Sequence, residues 1–393
     1  MQKVVYANWS QWTLPIYPIR GEYAIPMKLW TATVEAPTQT LPVWQKSDPA
    51  GLVARLEAEA LDLLVTRIDS APLFAHSYAY HLNLRFGTAT PFDLLQFASD
   101  HYLAGLKIHV EDGEDRSLLN MSKAQRQHFA AAAAERDLKL HVETSSTDRR
   151  HLETAAEIAR DISAESIRSY PRYEGRVSDI LQRTIADLKA LAAIDPEGRF
   201  RFTLEQHEDL KSHELVRIVQ AVGNPRLSLL FDFGNMTNAF EQPPEALQIM
   251  APLVTEVHIK DVKINADRGG WAHLACRSGE GDIDFHGLLL DLLLLGKDEP
   301  QVVAFALEEE DGMYAPAYRF PDEGADPFIP GREPSSTELP SGETLDHRLA
   351  RERNEAARQV SFVRSVLSSL RQAATLELGT RAATIAHKTA GLP

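Results

Sequence analysis

The chain has 393 residues and a formal net charge of −15, so it can bury a large core and lacks the clustered lysine and arginine that a nucleic-acid binder needs to neutralise phosphates. Its single cysteine, Cys276, excludes an internal disulfide framework and a zinc-thiolate cluster and suits a reducing compartment. No apolar run approaches the roughly 18 residues of a membrane span, and the start MQKVVYANWSQW lacks a basic region leading into an apolar one, so a cytoplasmic protein without a membrane anchor is the expectation.

Residues 1–80 do not share the rhythm of the rest of the chain. They hold Trp9, Trp12, Trp30 and Trp44, a candidate strand MKLWTATV and a helical pattern from Leu52 to Ile68. They are read as an N-terminal extension that covers one end of the adjoining domain or reaches a neighbouring subunit, and a homo-oligomer is expected. From Leu82 strands and helices alternate. LNLRFG is read as a strand, PFDLLQFASDHYLAG as a helix, LKIHVED as a strand and MSKAQRQHFAAAAAERDL as a helix capped by Ser122. KLHVETS, a helix DRRHLETAAEIARDI, a strand around SIRSYPRY and the helix VSDILQRTIADLKALAAI come next. FTLEQHEDLKSHELVRIVQAVGNPRLSLLFDFGN then reads as strand, helix, strand, with Ser212 as the cap and Gly223 with Pro225 as the stop. VTEVHIKDV and VVAFALEEE supply the last two strands, and Leu345–Leu370 forms an amphipathic helix with Val360, Val363, Leu367 and Leu370 on one face. Eight such units predict a (β/α)8 TIM barrel over residues 81–372, because closure removes the exposed edges of a parallel sheet. Residues 373–393 are read as a C-terminal tail.

In such a barrel the site lies at the carboxyl ends of the strands. Alternation picks out the inward side chains there: His109 and Glu111, His141 and Glu143, Arg168 and Tyr170, Glu205 and His207, Asp232, His258 and Lys260, then Glu308 and Glu310. Glu205, Asp232 and His258 are spaced by one strand-helix repeat each, and residues 262–285 insert a loop before Glu308. Three carboxylates and an imidazole suit one divalent ion, Mn²⁺, Mg²⁺, Co²⁺ or Zn²⁺. An ion chelated by a ketone and its neighbouring hydroxyl would polarise the carbonyl and favour an enediolate, formed by proton loss or by C–C cleavage. His207 suits the base by its intrinsic pKa, with Glu308 and the more distant Glu143 as alternatives. Lys260 and Arg168 are candidates to neutralise an oxyanion, carboxylate or phosphate, and His109 and Glu143 to line the substrate cavity. GEGDID, with Gly279 and Gly281, either brings backbone amides to a substrate anion or is an ordinary loop.

The runs LEQHEDLKSHEL, LLFDFGN, VTEVHIKDV, CRSGEGDIDF and LEEE together resemble the successive motifs of the xylose-isomerase-like TIM-barrel superfamily, the sugar-phosphate isomerase/epimerase group. That group also contains ketose 3-epimerases, a DNA-repair endonuclease branch, and lyases or decarboxylases acting on oxo-sugars. The resemblance covers residues 81–370 and implies a single divalent ion on Glu205, Asp232, His258 and a glutamate of the last strand, with Glu308 the best match among Glu308, Glu309 and Glu310. Ketose 3-epimerases carry a histidine where this chain has Asn235, which makes Asn235 a candidate substrate contact and His207 the replacement acid/base. The expected activity is isomerisation or epimerisation of a small carbohydrate or sugar acid. A metal-dependent lyase or decarboxylase and a non-catalytic sugar-binding subunit are the alternatives.

Overall fold

The computed structural model describes residues 46–332 and 343–389, together with the backbone of Lys3–Val5 paired antiparallel to Ser336–Glu338. The four N-terminal tryptophans and MKLWTATV lie outside the described residues. Eight parallel strands close into a barrel: β1 Leu73–His76, β2 Gly105–His109, β3 Lys139–Glu143, β4 Ser166–Ser169, β5 Arg201–Glu205, β6 Leu227–Asp232, β7 Val254–Ile259 and β8 Ala304–Leu307. Each pairs with its neighbours in chain order, and β8 returns to β1, with Phe305 opposite Leu73 and Ala306 opposite Phe74.

The strands are buried on both faces, as a parallel sheet covered by helices requires. Ile108, Val142, Ile167, Leu204, Phe231 and Val257 are fully buried toward the helices. The inner face is filled in layers from alternate strands. Phe74, His141 and Glu256, on β1, β3 and β7, belong to a lower layer, with the Phe74 and His141 rings 4.7 Å apart. Two residues further along those strands, His76, Glu143 and His258 meet Glu205 of β5 at the carboxyl end. Lys107 of β2 links the layers, pairing with Glu256 below and lying 3.4 Å from Glu143 Oε1 above.

The first strand is not where alternation put it. LNLRFG starts inside the helix His81–Arg85, where Leu82 N and Asn83 N donate to the Glu352 carboxylate at 2.8 and 2.9 Å. The strand is the upstream segment LFAH, so the barrel begins at Leu73 and not at residue 81. The expected helix over Leu52–Ile68 is two, Pro49–Val53 and Ala58–Asp69. The C-terminal helix runs unbroken from Leu345 to Thr389, through the stretch read as a tail; its expected apolar face, Val360, Val363, Leu367 and Leu370, is buried.

Residues beyond β7 and β8 roof the carboxyl end. Asp261–Asp267 and Gly270–Cys276 form an antiparallel hairpin, and Tyr314–Ala315 adds a third strand to it. Phe328–Ile329 pairs with Gly175–Arg176 on the other side of the mouth. Among the described residues no helix is long and apolar enough to cross a membrane.

Candidate active site

Glu205, Asp232, His258 and Glu308 end β5, β6, β7 and β8, and the barrel brings them together. His258 Nδ1 lies 3.3 Å from Glu205 Oε1, 3.9 Å from Asp232 Oδ2 and 2.7 Å from Glu308 Oε2. All four are buried, and Glu205 Oε2, Asp232 Oδ2, His258 Nδ1 and Glu308 Oε2 each lack a hydrogen-bond partner of good geometry. Glu205 Oε2 faces the Arg168 guanidinium and Asp232 Oδ2 the Lys260 ammonium, while His258 Nδ1 and Glu308 Oε2 face each other, so the four residues present their donor atoms at one place. Glu205, Asp232 and His258 form one group with ligand atoms within 4.8 Å of one another; His76, His258 and Glu308 form a second that shares the imidazole. Three carboxylates and one imidazole fit a divalent ion of hard to borderline character.

Local structure aims these atoms. The Asp232 side chain turns back on the chain, Oδ1 accepting Gly234 N and Asn235 N at 2.8 Å each, which leaves Oδ2 facing His258 and Lys260. His258 Nε2 donates to Glu143 Oε1 at 2.9 Å, so the lone pair of the neutral ring sits on Nδ1, toward the carboxylates. Burial opposes a charge on this ring, but the Glu308 and Glu143 carboxylates push its pKa well above the ordinary value. Burial pushes the Asp232 carboxyl up, against the Lys260 ammonium and reinforced by Glu308 and Glu205.

Of the three successive glutamates only Glu308 meets His258. Glu309 turns away to Ser278, accepting its hydroxyl at 2.8 Å, and Glu310 accepts from Lys260 at 3.3 Å. Lys260 Nζ is also 3.2 Å from Asp232 Oδ2 and 3.6 Å from Glu308 Oε1, which fixes its ammonium against two of the four.

Glu143 is fully buried below this cluster. Oε2 accepts from His76 Nε2 at 2.9 Å and from Arg168, while Oε1 takes His258 and faces Lys107. Arg168 spans Glu143 and Glu205, its Nε 3.1 Å from Glu205 Oε2. Asn235 Nδ2 lies 3.3 Å from Glu205 Oε1 and 3.2 Å from the Gln206 carbonyl. His109 is fully buried, 2.9 Å from Ser145 Oγ.

Above the cluster opens a cavity of about 870 Å³ whose walls include Tyr78, Tyr170, Arg172, His207, Lys260 and Glu308, closed on the roof side by Tyr318 and Arg332. His207 stacks on Tyr170 with ring centroids 3.8 Å apart. Burial, then the charges of Arg332, Arg172, Lys260 and Arg168, keep its imidazole well below the ordinary pKa, and hence neutral. The Gly279 and Gly281 amides serve no substrate anion: with Ile283 N they donate to the Asp261 carboxylate at 2.8, 2.9 and 3.3 Å.

His76 escaped the sequence reading because its strand did. Its Nε2 donates to Glu143 and its Nδ1 accepts Tyr78 N at 3.0 Å, so neither nitrogen is open. Arg172, Tyr318 and Arg332 lie in loops and Tyr78 in the single 3-10 turn Ser77–Tyr80, where no periodicity marks an inward side chain.

The sequence profile of the family described as xylose isomerase-like TIM barrel matches residues 95–310, more than half of the chain. The protein belongs to the xylose isomerase-like TIM-barrel family. One family-length relative, the uncharacterized protein YihM of Escherichia coli (strain K12), is 47% identical over 311 residues, 79% of this chain and 95% of its own. The 3-oxo-isoapionate decarboxylase of Pectobacterium atrosepticum is 25% identical over 171 residues, 43% of this chain and 62% of that one. Among solved structures, a D-psicose 3-epimerase with D-tagatose from Clostridium cellulolyticum H10 superposes with a TM-score of 0.52 at 13% identity, covering 75% of this chain and 99% of the other. A xylose isomerase-like TIM barrel protein from Mycobacterium smegmatis in complex with magnesium gives 0.50 at 14%, covering 77% and 98%. At those identities the structural likeness speaks for the xylose isomerase-like fold alone.

Proposed function

We propose that the protein is a divalent-metal-dependent enzyme that isomerises or epimerises a small polyhydroxylated carbonyl compound. The observation that carries this reading is the convergence of the Glu205, Asp232 and Glu308 carboxylates on His258 Nδ1, all buried beneath a cavity. A divalent ion on those residues would supply Lewis acidity to a carbonyl and its neighbouring hydroxyl. The rest falls to the chain. Glu143 and His76 hold the His258 ring in the required tautomer, and Arg168 and Asn235 hold Glu205 in place. Lys260, kept charged by Asp232, Glu308 and Glu310 against the cost of its burial, offers a proton or neutralises a developing oxyanion. His207, neutral and stacked at the cavity wall, is the base that removes or returns a proton at the carbon beside the carbonyl.

A second reading, decarboxylation of an oxo-sugar acid, is favoured by two observations. Asn235 carries no acid or base where the ketose 3-epimerases resembled by this sequence have a histidine, and one sequence relative is a decarboxylase. Cleavage needs one proton donor, and Lys260 provides it. Incubation of the Mn²⁺-loaded protein with a panel of ketoses in deuterated water tests the first reading: deuterium enters beside the carbonyl. Carbon dioxide release from oxo-sugar acids without exchange into ketoses decides for the second, and neither signal from metal-loaded protein removes both.

A further inference from the structure

Most cations around the cavity are already paired. Arg332 meets Glu208 and lies 3.0 Å from Asp209 Oδ2, Lys260 is held by three acids, and Arg348 lies 3.7 Å from both Asp311 Oδ2 and Glu355 Oε2. Arg172 differs. Among the described residues no carboxylate oxygen comes within 4.0 Å of its nitrogens, and it lies against an aromatic face instead, the guanidinium carbon 5.7 Å from the centre of the Tyr170 ring. Glu111 is the acid that feels it at longer range; burial holds that carboxyl up at about 7 while Arg172 pulls it down.

Tyr170 is a fixed platform. Its hydroxyl donates to Ser145 Oγ at 2.9 Å, the His207 ring stacks on it, and the Arg168 guanidinium lies 5.1 Å from its centre. Arg168 in turn holds Glu205. One ring therefore connects the floor of the site, where the ligand carboxylate sits, to a half-buried cation in the cavity wall that has no carboxylate partner among the described residues. The acids on the same wall are spent elsewhere, Glu208 on Arg332 and Glu310 on Lys260. A guanidinium backed by an aromatic face and left with its donors open is a receptor for a planar or tetrahedral oxyanion.

We infer that Arg172, backed by Tyr170, anchors an anionic end of the substrate, a carboxylate or a phosphate carried on the same carbon chain as the carbonyl. The inference rests on the proposed function for what happens at the other end of that chain. It makes a sugar acid or sugar phosphate the preferred substrate over a neutral ketose.

The test is calorimetric titration of the full-length protein, with Mn²⁺ and again after EDTA treatment, using D-gluconate, D-glucose 6-phosphate and neutral D-glucitol as probes. At least one anionic probe binds about tenfold or more tighter than glucitol in both states. Gluconate ahead identifies a carboxylate and glucose 6-phosphate ahead a phosphate. Arg172→Ala lowers the favoured anion to the level of glucitol and leaves glucitol unchanged. Arg172→Lys, which keeps the charge and loses the planar fork, restores part of the preference and shows that the alanine variant lost a cation and not its fold. Anion binding within twofold of wild type in Arg172→Ala, or no preference for either anion in the wild type, overturns the inference. Failure to bind Mn²⁺ with the anion preference intact would remove the proposed function and leave the anchor standing.

Discussion

Glu143→Gln changes only two atoms, yet the structure makes it a severe substitution. Each carboxylate oxygen faces two donors: His76 Nε2 and Arg168 on Oε2, His258 Nε2 and Lys107 on Oε1. An amide turned either way points an NH₂ group at two donors. Among the described residues, the lost charge also leaves Arg168 with only Glu205 and Lys107 with only Glu256 as counter-ions. Burial alone would raise the Glu143 pKa; Arg168, His76, His258 and Lys107 around it reverse that and hold it well below the ordinary range, so the charged form is the one the fold is built around. Breaking a buried pair by removing one partner costs about 3–5 kcal/mol, and loss of the group that orients a metal-ligating histidine costs about 10–100-fold in metal affinity. Guanidinium unfolding in EDTA, followed by Mn²⁺ titration of the folded variant, reads both quantities. A variant within about 1 kcal/mol of wild type and with unchanged Mn²⁺ affinity would refute the reasoning.

Three further outcomes rest on particular contacts. Gly281→Ala puts a Cβ 2.2 Å from Asp261 Oδ1 and 2.6 Å from the Val262 carbonyl, so the loop must leave the Asp261 carboxylate; a loss of about 1–3 kcal/mol in thermal or chemical unfolding is expected, and a neutral result counts against that packing. Glu323 is bound by Arg319 and Lys211, which overcome its partial burial and lower its carboxyl from 4.5 to about 2. Its contribution is therefore complete above pH 4.5 and lost as pH falls toward 2, and Glu323→Gln flattens the stability-against-pH curve in that window; parallel curves for the two proteins would contradict this. His207→Ala keeps its Mn²⁺ and loses deuterium incorporation or carbon dioxide release by about 100-fold or more; unchanged turnover removes His207 from the chemistry.

How much was legible in the sequence depended on whether a segment's structure is set locally. Glu205, Asp232 and His258 were readable because each lies on an alternating strand and their separations match the repeat, and Glu308 because it follows an alternating strand beyond the inserted loop 262–285. His76 was not. Its strand, LFAH, is four residues buried on both faces, so it shows no alternation. The decoy LNLRFG does alternate, but its helical form is fixed by Glu352, 270 residues away from Leu82 along the chain, through bonds to its first two amides. The C-terminal helix outran its apolar face because propensity continues after burial stops: Leu376 is 71% exposed, and the stretch around it is rich in alanine. GEGDID read as amides for a substrate anion or as an ordinary loop, and the acceptor its amides actually meet, Asp261, was visible only once the hairpin was folded. Arg172 and Arg332 belong to loops whose direction the barrel sets.

The proposed chemistry depends on Glu205, Asp232, His258 and Glu308 acting together on one ion, and calorimetric titration of EDTA-stripped protein with Mn²⁺ and Zn²⁺ tests that most directly. One ion per chain is predicted for the wild type, with Asp232→Ala and His258→Ala each weakening it by about 100-fold or more, since each removes one of four ligands. Wild-type protein that takes up neither metal, or variants that bind it as tightly as the wild type, would contradict the shared-ion site.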